Sequence, residues 1–83
     1  MIISVKTTGL LGQYLPPGSS RNRGDVELPD NSTTRDLLNT LAIPDDGRCY
    51  VSINGTMLQS QEIDTTVISG DDEVVLMAPI RAG

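Results

Sequence analysis

Strands are predicted at both ends of the chain by the pattern of apolar and polar positions. The stretch Ile2–Thr7 alternates, with Ile3 and Val5 on the same side, which is the period-2 pattern of a strand with one buried face. Near the other end, Glu73–Ala78 is a short run rich in valine and leucine that stops at Pro79. Because proline has no N–H to donate to a sheet ladder, a central strand is expected to finish before it.

Three further strands are predicted in the middle of the chain. Asp25–Leu28 alternates and is followed by a proline, and Arg48–Ile53 alternates in the same way. The dipeptide Asn54-Gly55 favours a two-residue hairpin, because a type I′ turn needs positive φ at both central residues. Thr56–Leu58 is then expected to return as a brief strand.

One helix is predicted between the second and third strands. Thr33 and Asp36 have capping-box spacing, with a hydroxyl at the cap and a carboxylate three residues later. The apolar stripe that follows consists of Thr34, Leu37, Leu38 and Leu41. Because the residue before a proline disfavours helical backbone, the helix is expected to be over by Pro44.

An irregular segment, residues 8–24, connects the first two strands. Its first half contains a short turn that is expected to pack on the edge of the core through Leu10, Leu11, Tyr14 and Leu15. Its second half, Ser19–Gly24, is typical of a mobile, solvated loop. Arg21 and Arg23 in this loop suit a phosphate contact, but a solvated hairpin tip is the preferred interpretation.

A second irregular segment, Gln59–Ser69, crosses back towards the last strand. Ile63 is one expected core anchor in this crossing. The other is either Val67 or Ile68, and the pattern leaves that choice open.

The order of these elements predicts an α+β fold in a single domain, residues 1–83. A mixed five-stranded sheet that packs one main helix on its concave face satisfies the order, with the first and last strands parallel at the centre. This is a β-grasp arrangement of the ubiquitin kind. The predicted core consists of Ile3, Val5, Val26, Leu28, Leu37, Leu38, Leu41, Val51, Ile53, Val74 and Leu76.

The last strand is also expected to carry a partner-docking face. If Val74 and Leu76 point into the core, Val75 and Met77 point outward. Tyr50, on the neighbouring strand, would complete an apolar patch with them, and no second helix is predicted that would cover it.

A five-residue tail follows, made of Pro79, Ile80, Arg81, Ala82 and Gly83. Fully extended, such a tail reaches roughly 17 Å beyond the sheet. Nothing in it is expected to fold back, because it lacks turn signals and has little apolar surface to repay the entropy of ordering. A tail of this shape suits insertion into another protein's active site, and a frayed terminus is the alternative interpretation.

Composition narrows the range of partners. Eleven acidic and six basic residues give a net charge of −5, which disfavours nucleic acid and anionic membranes and favours a partner with a basic docking face. The chain has no run of about 20 apolar residues and no signal-peptide pattern, so a cytoplasmic location is expected.

The residue types offer little catalytic chemistry. The only cysteine, Cys49, excludes an internal disulfide and a thiolate-rich metal site, and the absence of histidine excludes a Cys–His pair. Cys49 is therefore interpreted as a small buried hydrophobe. The only acidic cluster, Asp71 to Glu73, is interpreted as a solvated face rather than an acid/base pair or a metal site.

With the elements in this order, the sequence resembles the MoaD/ThiS family of ubiquitin-like sulfur carriers along nearly its whole length. Fragments in the family's order and spacing are Leu15-Pro16-Pro17-Gly18, Val26-Glu27-Leu28-Pro29, Thr33-Thr34-Arg35-Asp36-Leu37-Leu38, Leu41-Ala42-Ile43-Pro44, Val51-Ser52-Ile53-Asn54-Gly55 and Asp72-Glu73-Val74. Each fragment is weak alone, and their order carries the resemblance. Where the family usually ends Gly-Gly, this chain ends Ala82-Gly83.

The resemblance implies a function for the tail. In that family an E1-like partner adenylates the C-terminal glycine carboxylate with ATP, and conversion to a thiocarboxylate then supplies sulfur for molybdenum or tungsten pterin cofactor or for thiamine. The sulfur-carrying residue here would be Gly83, with Pro79–Ala82 inserted in the partner. ATP and metal would be supplied by that partner, and the sulfur acceptor would be a molybdopterin-synthase large subunit or thiazole synthase.

Two other classes of function remain open from the sequence. One is a β-grasp binding or regulatory module, or a ubiquitin-like modifier, that transfers no sulfur. Ala82 favours this alternative, because its Cβ widens the tail at a position where a narrow channel would hold it. The other, a stand-alone enzyme, ranks lower because the chain lacks catalytic pairs.

Overall fold

The computed structural model describes residues 1–43 and 49–77. The strands in these ranges are β1 Ile2–Thr7, β2 Arg23–Glu27, β3 Tyr50–Ile53, β4 Thr56–Met57 and β5 Glu73–Met77. One α-helix, α1, spans Thr34–Thr40. Two short 3-10 helices lie at Gly9–Tyr14 and Ser60–Glu62.

The five strands form one mixed sheet in the order β2-β1-β5-β3-β4. β1 and β5 are parallel at its centre, with Val5 opposite Val74, and the other neighbouring pairs are antiparallel. Because a tight turn cannot join parallel strands, β1 and β5 are connected by a long stretch of chain. Helix α1 lies in that stretch. The arrangement confirms the predicted α+β, β-grasp architecture with its first and last strands at the centre.

The core lies between α1 and one face of the sheet. Its buried apolar residues are Ile3, Val5, Leu11, Val26, Leu28, Leu37, Leu38, Leu41, Ile43, Val51, Ile63, Ile68, Val74 and Leu76. Of the predicted core residues, Ile53 alone is only half-buried, although it packs against the cluster. Ile53 pairs with Thr56 next to the hairpin turn, and β4 has only two residues with which to cover it.

Helix α1 begins as its sequence predicts. Thr33 Oγ1 accepts the N–H of Asp36 at 3.3 Å, and Asp36 Oδ2 accepts the N–H of Thr33 at 2.9 Å, which completes the capping box. The N–H groups of Thr34 and Arg35 donate to carbonyl oxygens of the later crossing segment at 2.9 Å each. The N-terminal amides of the helix are thereby satisfied. Pro44, expected to follow the helix, lies outside the described residues.

The hairpin between β3 and β4 also has the predicted geometry. Asn54 has φ of 53° and Gly55 has φ of 86°, as a type I′ turn requires. Asn54 additionally binds the start of β5: its N–H donates to Glu73 O and its Oδ1 accepts the N–H of Glu73, both at 2.9 Å. The turn residue therefore connects two strands that are distant in sequence.

Several predicted boundaries were wrong. The second strand starts at Arg23 rather than Asp25, so the end of the segment interpreted as a mobile loop is paired with β1, and Gly24 is buried opposite Val5. Asn22 Nδ2 donates to Thr7 Oγ1 at 2.8 Å, which holds the preceding turn against β1. These contacts come from β1 and could not be seen in the loop's own composition.

The third strand begins at Tyr50, so Cys49 precedes it, and Arg48 lies outside the described residues. β5 is described as far as Met77, and Ala78, the predicted last residue of that strand, lies outside them.

The crossing segment after β4 anchors to the core through Ile63 and Ile68. Ile68 is 1% exposed, whereas Val67 is 54% exposed. The N–H of Ile68 donates to Ser32 O at 3.0 Å, and Thr33 pairs with Val67 in an isolated bridge. This pairing sets which of the two neighbours points inward.

No helix within the described ranges has the length and apolar character needed to cross a membrane.

Candidate functional site

The predicted docking residues lie together on the sheet face opposite α1. Tyr50 of β3 is the register partner of Met77 of β5, and Val75 is opposite Ser52 on the same two strands. Tyr50 is 49% exposed, and Val75 and Met77 are half-buried. We call Tyr50, Val75 and Met77 the outer patch. It is an apolar surface on two adjacent strands, at the end of the sheet where β5 finishes.

The outer patch continues in both directions across the sheet. Towards the β4 edge, Met57 pairs with Ser52 and is 52% exposed. Towards the other edge, Lys6 pairs with Val75, and Arg23 pairs with Lys6. One row across the face therefore changes from apolar to cationic. A partner that covered the whole row would meet both kinds of surface.

The end of β5 is held from both sides. β1 and β3 flank it, and the N–H of Thr8 donates to Leu76 O at 3.0 Å. Met77 therefore lies in the middle of the sheet rather than at its edge. The predicted tail insertion and the role of Gly83 both fall on residues 79–83, which lie outside the described residues.

The acidic turn before β5 is structured by hydrogen bonds. Asp72 Oδ1 accepts from Asn54 Nδ2 at 2.9 Å, and Asp72 Oδ2 accepts the N–H of Ser69 at 2.9 Å and its hydroxyl at 3.3 Å. The bond from Asn54, followed by that from the Ser69 backbone, lowers the pKa of Asp72. Asp71 is exposed as predicted, whereas Asp72 is half-buried and closes the turn.

The other acidic residue of the cluster, Glu73, is exposed and forms an ion pair with Lys6, with 3.1 Å between Oε1 and Nζ. No group of three or more potential metal ligands occurs within residues 1–43 and 49–77.

Cys49 is half-buried rather than fully buried, and it packs against the core. Burial raises the pKa of its thiol, so the thiol is a poor nucleophile near neutral pH. It lines an apolar cavity of about 320 Å³ between α1 and the β3–β4 edge, with walls that include Leu38, Met57 and Ile63. Sequence reasoning missed this cavity because its walls come from four separate elements.

Together, the mixed five-stranded sheet, helix α1 and the central position of β5 define a ubiquitin-like β-grasp protein. The ThiS family model matches residues 17–83, most of the chain. The chain belongs to the ThiS family, and its fold is that of the ThiS/MoaD sulfur carriers.

Solved structures agree on the fold. Thiamine biosynthesis protein ThiS from Geobacter metallireducens superimposes with a TM-score of 0.63 at 16% identity, over 98% of this chain and 100% of that one. SAMP1 from Haloferax volcanii gives a TM-score of 0.71 at 21% identity, over 100% of both chains. A complex of subunits 1 and 2 of molybdopterin-converting factor from Helicobacter pylori 26695 gives 0.59 at 16% identity, also over 100% of both. No curated protein matches the sequence.

Proposed function

We propose that this chain is a sulfur carrier that acts through the carboxylate of Gly83. The observation that carries the proposal is the ThiS family match, which runs to Gly83 itself. An E1-like partner adenylates the carboxylate, and conversion to a thiocarboxylate prepares it to donate sulfur. The receiving pathway makes either the pterin cofactor of molybdenum or tungsten enzymes or thiamine.

The chemistry accounts for the lack of catalytic residues in this chain. A carboxylate resists attack until one of its oxygens becomes part of a good leaving group. Joining that oxygen to the α-phosphorus of ATP releases pyrophosphate and gives an acyl-adenylate. A sulfur nucleophile then attacks the carbonyl carbon and AMP leaves. Both steps need a nucleotide site, which the partner provides together with its metal. The chain contains no histidine, and burial raises the pKa of the Cys49 thiol.

The outer patch is the surface on which we expect the activating enzyme to dock. It adjoins the end of β5, so a partner covering Tyr50, Val75 and Met77 lies beside the start of the tail. Pro79–Gly83 extends roughly 17 Å beyond the sheet when it is fully stretched. That reach is enough for the tail to enter a channel while the patch stays in contact with the channel's mouth.

A second group of partners would receive the sulfur. For this chain they are a molybdopterin-synthase large subunit or a thiazole synthase. The first is supported by the Helicobacter pylori structure, in which two subunits of molybdopterin-converting factor form a complex. The second is supported by the ThiS family match.

Ala82 favours one alternative function. A tail ending Ala-Gly rather than Gly-Gly is wider next to the reacting carboxylate, which suits a binding module or a protein modifier that transfers no sulfur. On this alternative the outer patch would still bind a partner. The tail would then gain no sulfur.

The test is the intact mass of the protein after incubation with its cognate activating enzyme, ATP and a sulfur source. We expect replacement of one oxygen by sulfur, and no change in a variant lacking Gly83. Cys49→Ser is the essential control, because a persulfide on Cys49 would add a sulfur atom without removing an oxygen. Failure of wild type and Cys49→Ser to form either acyl-adenylate or thiocarboxylate would overturn the proposal in favour of the alternative.

A further inference from the structure

The cationic side chains are distributed unevenly over the fold. The described residues include four of them, Lys6, Arg21, Arg23 and Arg35. Arg35 lies in α1, where its Nε donates to Asp64 Oδ1 at 2.7 Å. The other three lie close together, because Lys6 and Arg23 are register partners on β1 and β2 and Arg21 is in the turn just before β2. We call Lys6, Arg21 and Arg23 the basic corner.

Two members of the basic corner are available to a partner. Lys6 is already paired with Glu73. Arg21 and Arg23 are exposed, and neither forms an ion pair with any of the described residues. Exposed arginines are common on protein surfaces. What distinguishes Arg21 and Arg23 is their position in the fold of a chain whose net charge is −5.

The basic corner lies at the same end of the sheet as Met77, the last described residue of β5. β1 and β5 are parallel and β2 is antiparallel to β1, so Lys6, Arg23 and Met77 are all at this end. Adjacent strands are about 4.8 Å apart, which places β2 about 10 Å from β5. That separation is close to the Debye length of about 8 Å at physiological ionic strength. A protein covering the outer patch therefore also lies within electrostatic range of Arg23.

We propose that the activating partner presents an acidic segment, rich in aspartate or glutamate, which contacts Arg21 and Arg23 beside the mouth of its tail channel. The inference rests on the proposed function, because it takes the adenylating enzyme as the partner. It revises the expectation of a basic docking face that the net charge suggests. The partner surface is acidic opposite the basic corner and apolar opposite the outer patch.

Carboxylates fit this corner better than phosphates do. The nucleotide reacts at the end of the tail, up to roughly 17 Å from the sheet, so its phosphates are not expected at Arg23. Asp25 and Glu27 follow Arg23 on the same face of β2 and are exposed. Their charge would repel a nucleic-acid backbone laid along the strand, whereas a compact acidic segment can avoid them.

The test compares two variants with the same net charge of −6. Arg23→Gln removes a charge from the basic corner, and Gln61→Glu adds one in the 3-10 helix near β4, at the opposite edge of the sheet from β2. Affinity for the cognate adenylating enzyme is measured at low and high salt. We expect Arg23→Gln to weaken binding about two- to five-fold at low salt and less at high salt. Gln61→Glu should bind like wild type, and Arg23→Lys should keep most of the affinity.

Two results would overturn the inference. One is equal affinity of Arg23→Gln and Gln61→Glu for the enzyme. The other is that wild type binds a single-stranded oligonucleotide as tightly as it binds the enzyme, and that Arg23→Gln removes this binding. The proposed function is tested separately, by thiocarboxylate formation in wild type and in Gln61→Glu at saturating enzyme. An absence of thiocarboxylate in wild type would remove the function while leaving the binding comparison intact.

Discussion

Asn54 Nδ2 donates a hydrogen bond of 2.9 Å to Asp72 Oδ1, across 18 positions of sequence. Asp72 in turn accepts the N–H of Ser69 through its other oxygen, and Asn54 exchanges two bonds with the backbone of Glu73. The hairpin turn is thereby fixed to the start of the central strand β5. Since β5 also pairs with β1, the hairpin is held against the centre of the sheet.

Asp72→Asn should lower stability at neutral pH, because an amide nitrogen cannot accept the bonds that the carboxylate accepts. The hydrogen bonds lower the pKa of Asp72 in the folded state. Its stabilising contribution is therefore present above the unfolded pKa of about 3.9 and is lost as pH falls through the lower folded value. Urea midpoints should show a smaller difference between wild type and Asp72→Asn in strong acid than at pH 7. Asp71→Asn, which removes the same charge at an exposed position, should cost less, and a pH-independent effect of Asp72→Asn would contradict this account.

Ile68→Ala should destabilise the fold by about 2 to 5 kcal/mol, as truncation of a fully buried isoleucine usually does. Val67→Ala is the matched control, since the Val67 side chain is 54% exposed. Its truncation should cost about 0.5 kcal/mol or less. Chemical denaturation of both variants measures the two values. A larger loss for Val67→Ala than for Ile68→Ala would mean that the crossing segment packs with Val67 inward.

Gly12→Ala should destabilise the protein by about 1 to 3 kcal/mol, the usual range for overpacking. A Cβ at Gly12 would overlap the carbonyl oxygen of Arg21, so the 3-10 helix and the turn before β2 would have to separate. Gly70→Ala is the control, because its Cβ would lie 3.3 Å from Ile2 O and needs only a small adjustment. Thermal unfolding distinguishes them, and an unchanged melting temperature for Gly12→Ala would refute the close approach.

Met77→Asp should weaken binding of the activating enzyme at least about ten-fold, because a carboxylate in the centre of an apolar contact is costly to desolvate. Folding should be largely spared, since Met77 faces outward. Val67→Asp is the matched control: it places the same charge on an exposed apolar residue outside the outer patch. Calorimetric titration gives both affinities, and a Met77→Asp affinity equal to that of the control would remove the outer patch from the interface.

Ala82→Gly should be activated at least as well as wild type if the partner channel is shaped for Gly-Gly. Glycine removes the Cβ next to the reacting carboxylate and restores backbone freedom there. The rate of acyl-adenylate formation, followed by pyrophosphate release, measures the effect. Adding one residue after Gly83 should abolish activation without changing the melting temperature. Activation of that extended chain would place the reaction elsewhere.

Interactions between near neighbours in sequence were predicted correctly from the sequence alone. The capping box of Thr33 and Asp36 and the hairpin at Asn54-Gly55 need only residues a few positions apart, so their geometry follows from residue type. The alternation of β1 and β5 identified the buried face of each strand. Element order then constrained the topology, and the role of Gly83, which the family resemblance implies, stays a prediction.

Tertiary structure decided the features that depend on a distant partner. Ile68 rather than Val67 is buried because the bridge to Thr33 sets the rotation of that segment. β2 begins at Arg23 because β1 supplies its ladder partner. That pairing also places Arg23 beside Lys6, at the same end of the sheet as Met77. Burial and charge proximity are properties of assembled elements, so no local pattern could encode the basic corner or its position at the same end of the sheet as Met77.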